Sequence, residues 1–138
     1  MARKDIFHES LKNALLKDDW IITDDPLDLT IGEVELLADF GAERIIAAEK
    51  ANQKIAIELK SFIGQSPVSE FHKALGQYSN YRLSLEELEP ERTVWLAIPQ
   101  MAWEEFFQRP FIQKSIQRYK IEILVFDPQN EILLRWIK

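Results

Sequence analysis

The sequence predicts one α/β domain built on a mixed central β-sheet with helices packed on its faces. Three observations lead there. Apolar residues recur at helical spacing in the stretches that begin near residues 6 and 67. Residues 93–98 and 121–126 are almost unbroken apolar runs, as strands buried on both faces are. Between these stretches the pattern gives helix, three strands, helix, strand, helices and two strands, an order that a layered sheet with helices on its faces satisfies.

The first helix is expected over 6–17, where Phe7, Leu11 and Leu15 form one apolar stripe and Asp5 can cap the start. Trp20-Ile21-Ile22-Thr23 is a short β-rich run, ended by Asp24-Asp25-Pro26. Residues 27–40 fit no single pattern and read as loop with a short extended piece. Residues 44–49 and 54–62 read as two strands joined by the turn Lys50-Ala51-Asn52-Gln53. A long helix over 67–83 follows, with Ser66 as cap and Pro67 at its first position. Residues 84–91 read as a charged surface connection. The buried strand 93–98 ends at Pro99, and helical segments follow over 101–107 and 111–119. Strand 121–126, the turn Asp127-Pro128-Gln129-Asn130 and a last strand 132–137 complete the chain. No repeat or linker divides it, so residues 1–138 read as a single domain.

Composition narrows the function classes. The 138 residues are 46% hydrophobic and 11% aromatic, enough for a real core. Without cysteine, disulfides and thiolate zinc sites are excluded. No stretch reaches the ~18 continuous apolar residues of a membrane span. The start, Met1-Ala2-Arg3-Lys4-Asp5, lacks the apolar core of a signal peptide. A cytoplasmic protein is the expectation. The net charge of −6 argues against a general nucleic-acid coat, yet suits a protein that holds divalent cations or docks a partner.

The segment that points to chemistry is Ile55-Ala56-Ile57-Glu58-Leu59-Lys60-Ser61. Side chains alternate along a strand, so Ile55, Ile57 and Leu59 share the core face, and Ala56, Glu58 and Lys60 share the other. Upstream, Asp39 precedes the first strand of the hairpin, whose fold-back brings it towards Glu58 and Lys60. Two carboxylates and a lysine would then converge. Hard carboxylate oxygens suit Mg²⁺ or Mn²⁺, and a lysine beside them can orient a water or offset developing charge, which is the chemistry of a phosphodiester nuclease. A Glu-x-Lys triplet alone is more often a solvated strand face. The apolar strand, the upstream acid and the helix that follows shift the balance.

On that helix Lys73, Gln77 and Tyr81 are spaced to share a face, apart from the apolar set Val68, Phe71, Leu75 and Tyr78. Gln77 and Tyr81 are candidates for a role at the acidic site, with Lys73 in support, against the plainer reading of a polar helix surface. Glu9 is a weaker outer candidate, since helix surfaces carry glutamates routinely. His8 and His72 lack metal-ligand spacing and read as structural or exposed. Trp95 and Trp136 read as core.

Asp39, with Glu58-x-Lys60, resembles the PD-(D/E)xK nuclease signature, and Gln77-x-x-x-Tyr81 is similar to the motif that follows it in RecB-type nucleases. The chain as a whole resembles the XisH family, the fdxN element excision controlling factors of cyanobacteria. The resemblance rests on Ala38-Asp39-Phe40-Gly41-Ala42-Glu43-Arg44, on Ile57-Glu58-Leu59-Lys60-Ser61-Phe62, on Ala74-Leu75-Gly76-Gln77-Tyr78-Ser79-Asn80-Tyr81-Arg82 and on Val125-Phe126-Asp127-Pro128. It implies a restriction-endonuclease-like fold and a part in site-specific excision of a DNA element during heterocyst development. It implies DNA, a site-specific recombinase and an XisI-like companion as partners, with Mg²⁺ or Mn²⁺ held by Asp39 and Glu58. Two departures stand out: Ala38 replaces the usual proline, and the gap from Asp39 to Glu58 is long, which leaves Asp28 or Glu35 as alternative acids. Two functions follow from this sequence, a metal-dependent DNA endonuclease and a non-catalytic accessory factor that holds a companion or a recombinase. The acidic surface and the Leu/Phe/Trp-rich C-terminal half also suggest a homo-oligomer.

Overall fold

Strand propensity and hairpin geometry set the centre of the molecule. The computed structural model describes residues 6–29 and 45–138. In chain order the elements are α1 (His8–Lys17), β1 (Ile21–Asp24), β2 (Ile45–Lys50), β3 (Gln53–Leu59), α2 (Pro67–Leu88), β4 (Arg92–Pro99), α3 (Gln100–Glu105), α4 (Pro110–Tyr119), β5 (Ile123–Asp127) and β6 (Ile132–Ile137). The six strands form one sheet in sequential order. β1, β2 and β3 run antiparallel to one another, β3, β4 and β5 are parallel, and β6 returns antiparallel to β5. The expected mixed sheet flanked by helices is therefore present. The expected hairpin is too, with Lys50 opposite Gln53 and Ala51 in the left-handed turn conformation at φ 53°.

Connections between parallel neighbours are right-handed, so two crossovers that step in the same direction put their helices on one face. The packing agrees. Phe71, Ala74 and Tyr78 of α2, with Phe106, Phe107 and Ile112, cover Ala56, Val94, Leu96 and Ile98. On the opposite face Leu11 and Leu15 of α1 cover Ile46, Ile57, Leu59, Trp95 and Phe126. β3 and β4 are thus buried on both sides. Each large apolar side chain buried in this way stabilises the fold by about 1.5–3 kcal/mol. Ile57 and Leu59 are fully enclosed, as their alternation predicts.

Some boundaries differ from the expectation. Helix α2 runs to Leu88, through residues that read as a charged connection. Leu85 is buried there, and the Ser84 hydroxyl donates to the carbonyl of Leu29 at 3.1 Å, a contact made across a long stretch of sequence. Ser66 caps the helix by accepting from the amide of Ser69, with Pro67 at its first position. At α1 the N-cap is Phe7, which makes no side-chain cap, and Asp5 lies outside the described residues. Trp95 is core. Trp136 is 36% exposed, because β6 is an edge strand.

Candidate functional site

Glu58 sits near the C-terminal end of β3, paired in register with Ile45 of β2 and Leu96 of β4. Alternation puts it on the same face as Ala56, beneath α2, while Ile57 and Leu59 face α1. Lys60 follows one step past the strand. Its amide still donates to the Ala97 carbonyl at 3.0 Å, so the ladder fixes its backbone. Both side chains are buried, Glu58 at 1% and Lys60 at 3% exposure. The Lys60 Nζ lies 4.0 Å from Glu58 Oε2. Ionisable groups are almost never this enclosed unless paired, and the pair stands at the ends of the parallel strands, where ligands bind in open α/β sheets. Phe62 follows in the left-handed region at φ 57°, held by stacking on Phe106 and an edge contact with Phe107. A bulky residue in that conformation persists only where its surroundings fix it.

The long helix supplies the third polar group. Its buried stripe is Phe71, Ala74, Gln77, Tyr78, Tyr81, Ser84 and Leu85. Gln77 and Tyr81 therefore lie on the face that meets the sheet, together with Phe71 and Tyr78, and not on a separate polar face. Tyr78 fixes the helix to the sheet. Its hydroxyl donates to the Val94 carbonyl at 3.2 Å and accepts from the Glu122 amide at 3.0 Å. Val94 is two residues along β4 from Leu96, the register partner of Glu58. Burial pushes the Tyr78 hydroxyl above its usual pKa, and the hydrogen bond from Glu122 offsets part of that. Gln77 is 2% exposed, and neither atom of its amide meets a hydrogen-bond partner among the described residues. A buried amide left in that state costs about 1–3 kcal/mol, so it marks a place where the layer is not optimised for stability.

Of the residues expected at the site, Glu58 and Lys60 come together, and Gln77 and Tyr81 lie in the layer between α2 and the same sheet face. Lys73 is exposed on α2, and Val68, expected in the apolar stripe, is 45% exposed. Glu9 is exposed on α1, which packs on the other face of the sheet, so it does not join this group. Asp39 and Glu35 lie outside the described residues. Asp28 is exposed between Leu27 and Leu29, which both enter the core on the α2 side. Among the described residues no three His, Cys, Asp or Glu side chains gather into a metal-holding group. No described helix is long and apolar enough to cross a membrane.

Two polar clusters escaped the sequence reading. Arg92, buried at the start of β4, donates to the carbonyl of Ile55 at 2.9 Å and to Glu89 at 2.6 Å. His8 is buried against Asp25, with Lys12 at 2.9 Å from the same carboxylate oxygen. Burial would push the Asp25 carboxyl up, but hydrogen bonds and charge from His8 and Lys12 hold it below the usual range. His8 is structural, as expected, and His72 is exposed. Neither cluster leaves a trace in local periodicity, because its partners come from different elements.

The description XisH protein fits residues 1–134 of this chain. The chain belongs to the XisH family. A crystal structure of an XisH family protein from Nostoc punctiforme is 42% identical, with a TM-score of 0.89 over 97% of this chain and 100% of that one. A crystal structure of an fdxN element excision controlling factor protein from Anabaena variabilis is 46% identical, with a TM-score of 0.89 over 98% of this chain and 100% of that one. No curated protein matches the chain. The XisH resemblance read from the sequence thus holds over nearly its whole length, and the fold is shared with both relatives.

Proposed function

We propose that this XisH family member is a metal-dependent DNA endonuclease of the restriction-endonuclease-like class, acting in excision of a DNA element. The observation that carries the reading is the buried Glu58–Lys60 pair on the central strand beneath α2. A carboxylate and an ammonium enclosed in this way are an expensive arrangement to keep for stability alone. The excision role comes from the relative named as an fdxN element excision controlling factor. The PD-(D/E)xK assignment comes from the resemblance of Asp39 and Glu58-x-Lys60 to that signature.

The donor chemistry fits a hard divalent cation. Glu58 offers carboxylate oxygens, and Asp39 would supply the second carboxylate needed to hold Mg²⁺ or Mn²⁺. Such an ion, when bound, lowers the pKa of a coordinated water and stabilises charge on the phosphate. Lys60, fixed by the β3–β4 ladder, would orient the attacking water and balance the negative charge that develops. Gln77, whose amide has no hydrogen-bond partner among the described residues, would position a water or a phosphate oxygen against the pair.

The test is nicking of supercoiled DNA with and without millimolar Mg²⁺ or Mn²⁺. Metal-dependent nicking is expected, reduced roughly a hundredfold or more by Glu58→Ala in a protein that still folds. Nicking that survives this change, or that needs no metal, removes the reading. The net charge of −6 favours a second one, a non-catalytic accessory factor that holds an XisI-like companion or a recombinase. Absence of nicking in the folded wild type, with capture of such a companion, would select it.

A further inference from the structure

The net charge of −6 is laid out unevenly. Residues 71–85 and 106–121 hold none of the 23 acidic side chains and six of the 17 basic ones. The first run lies in α2, and the second takes in all of α4. Both helices cover the same sheet face and run back from the end where Glu58 and Lys60 stand. Arg82 of α2 joins them by donating to the carbonyls of Tyr119 and Lys120 at 3.2 and 3.1 Å, so the two outer faces form one surface. Lys73, Lys114, Arg118 and Lys120 are exposed on it. The next acids along the chain, Glu70, Glu86, Glu105 and Glu122, stand at its borders.

Ion pairing follows the same division. Among the described residues outside this surface, all basic side chains but Arg135 and Lys138 meet a carboxylate. Of the six within it none does: Arg82 is held by carbonyls, Arg109 lies over the ring of Phe106, and the other four meet no acid among the described residues. Cations gathered without counter-charges repel one another and add nothing to the stability of the fold. We infer that the outer face of α2 and α4 seats the sugar–phosphate backbone of duplex DNA and leads it towards the Glu58–Lys60 end of the sheet. Charge complementarity selects the occupant, because a phosphate backbone supplies the regularly spaced anions that this face lacks. Exposed Ser79, Asn80 and Gln117 lie among the cations and add neutral donors of the kind that meet phosphate oxygens. Leu83, Phe111 and Tyr119 are also exposed there, too few to form the charge-depleted core of a protein interface. The inference rests on the reading of DNA as substrate, but not on its cleavage.

Fluorescence anisotropy of a labelled duplex, titrated with the full chain in metal-free buffer between about 50 and 200 mM salt, reads binding without cleavage. The wild type should bind, with an affinity that falls steeply as salt rises. Lys114→Gln combined with Arg118→Gln should weaken binding roughly tenfold or more at the lowest salt. It should also make the slope of log affinity against log salt shallower by about two, one for each lost phosphate contact. Lys50→Gln combined with Lys54→Gln removes the same charge from the β2–β3 hairpin, at the opposite end of the sheet, and should leave affinity within about twofold and the slope unchanged. Circular dichroism should show both variants folded. A wild type that does not bind overturns the inference. So does a slope that the α4 variant leaves unchanged, or a hairpin variant that weakens binding as much. Poly-glutamate that binds as tightly as the duplex would give the face to an acidic protein and also overturns it. Nicking separates this inference from the proposed function. A wild type that binds as stated but never nicks with metal keeps the DNA surface and loses the endonuclease. Nicking with binding indifferent to Lys114 and Arg118 keeps the endonuclease and loses the surface.

Discussion

A buried polar cluster lies near each end of β3, and the two differ in construction. Near its N-terminal end Arg92 is almost saturated. It donates to the carbonyls of Ile55 and Ala48 and to Glu89, and pairs with Glu49 at 3.6 Å. Near its C-terminal end Glu58 and Lys60 stand 4.0 Å apart, with the amide of Gln77 in the layer above lacking a hydrogen-bond partner among the described residues. A satisfied network rigidifies a fold, whereas a buried amide such as that of Gln77, without a partner among the described residues, is costly and is kept where something else uses it. The comparison separates a structural cluster from a candidate functional one without reference to any relative.

The sharpest way to break that distinction is at Arg92. Arg92→Ala should cost about 3 kcal/mol, the lower end of the range for a broken buried pair, because Glu49 and Glu89 keep contact with water. Metal-dependent nicking per folded molecule should not change. Urea unfolding checks the first statement and nicking assays the second. A loss below about 1 kcal/mol would mean that the Arg92 network is ornamental.

At the other end the two partners should respond in opposite senses. Lys60→Ala leaves the Glu58 carboxylate buried without its ammonium and should cost about 3 kcal/mol in metal-free protein. Under the proposed function Asp39 would still pair with Lys60, so Glu58→Gln removes one of two repelling carboxylates and should leave metal-free stability unchanged or slightly higher. Millimolar Mg²⁺ or Mn²⁺ should raise the melting temperature of the wild type, since a ligand that binds only the folded state stabilises it, and Glu58→Gln should abolish that response. Melts of the three proteins with and without metal decide the matter. If metal shifts none of them, Glu58 holds no cation, and the accessory-factor reading gains.

How much of this the sequence reveals depends on how local the signal is. The hairpin and the buried strands follow from alternation and apolar runs, and the observed β6 has the very residues expected of it. Glu58 and Lys60 were legible because neighbours two apart on a strand must share a face. The end of α2 was not, since the contact of Ser84 with Leu29 joins distant segments. The environment of Gln77 was misread for a related reason. Spacing groups residues by face, yet how wide a stripe becomes buried depends on what packs above it. Here Leu27 and Leu29 widen the core that covers α2. Asp39 falls outside the described residues.

The cluster of His8, Lys12 and Asp25 extends the comparison to the face covered by α1. The Asp25 carboxyl is held below its usual pKa in the folded protein. Its contribution is therefore complete above the unfolded-state value, near pH 4, and is lost as pH falls through the lower folded value. Asp25→Asn should cost about 1 kcal/mol at pH 7, and the difference from wild type should shrink below about pH 4. Denaturant melts between pH 3 and pH 7 are the check, and a gap that widens on acidification would reverse the assignment.

The smallest effect is expected at Gln77, and it is the most diagnostic. The side chain is buried, so an ordinary core residue in its place should cost stability when altered. Its amide, however, has already given up water without gaining a partner among the described residues. Gln77→Met keeps the length and most of the volume while removing that unsatisfied group, so the desolvation cost of the amide disappears. Unfolding free energy should therefore stay within about 1 kcal/mol of wild type, on the stabilising side if on either. Under the proposed function the same change should reduce metal-dependent nicking, because a thioether cannot both donate to and accept from a water or a phosphate oxygen. Stability and activity would then move apart at one buried residue, which a purely structural glutamine cannot do. A clear destabilisation would instead mean that ordered water satisfies the amide in solution, and both ends of β3 would have to be read as structural.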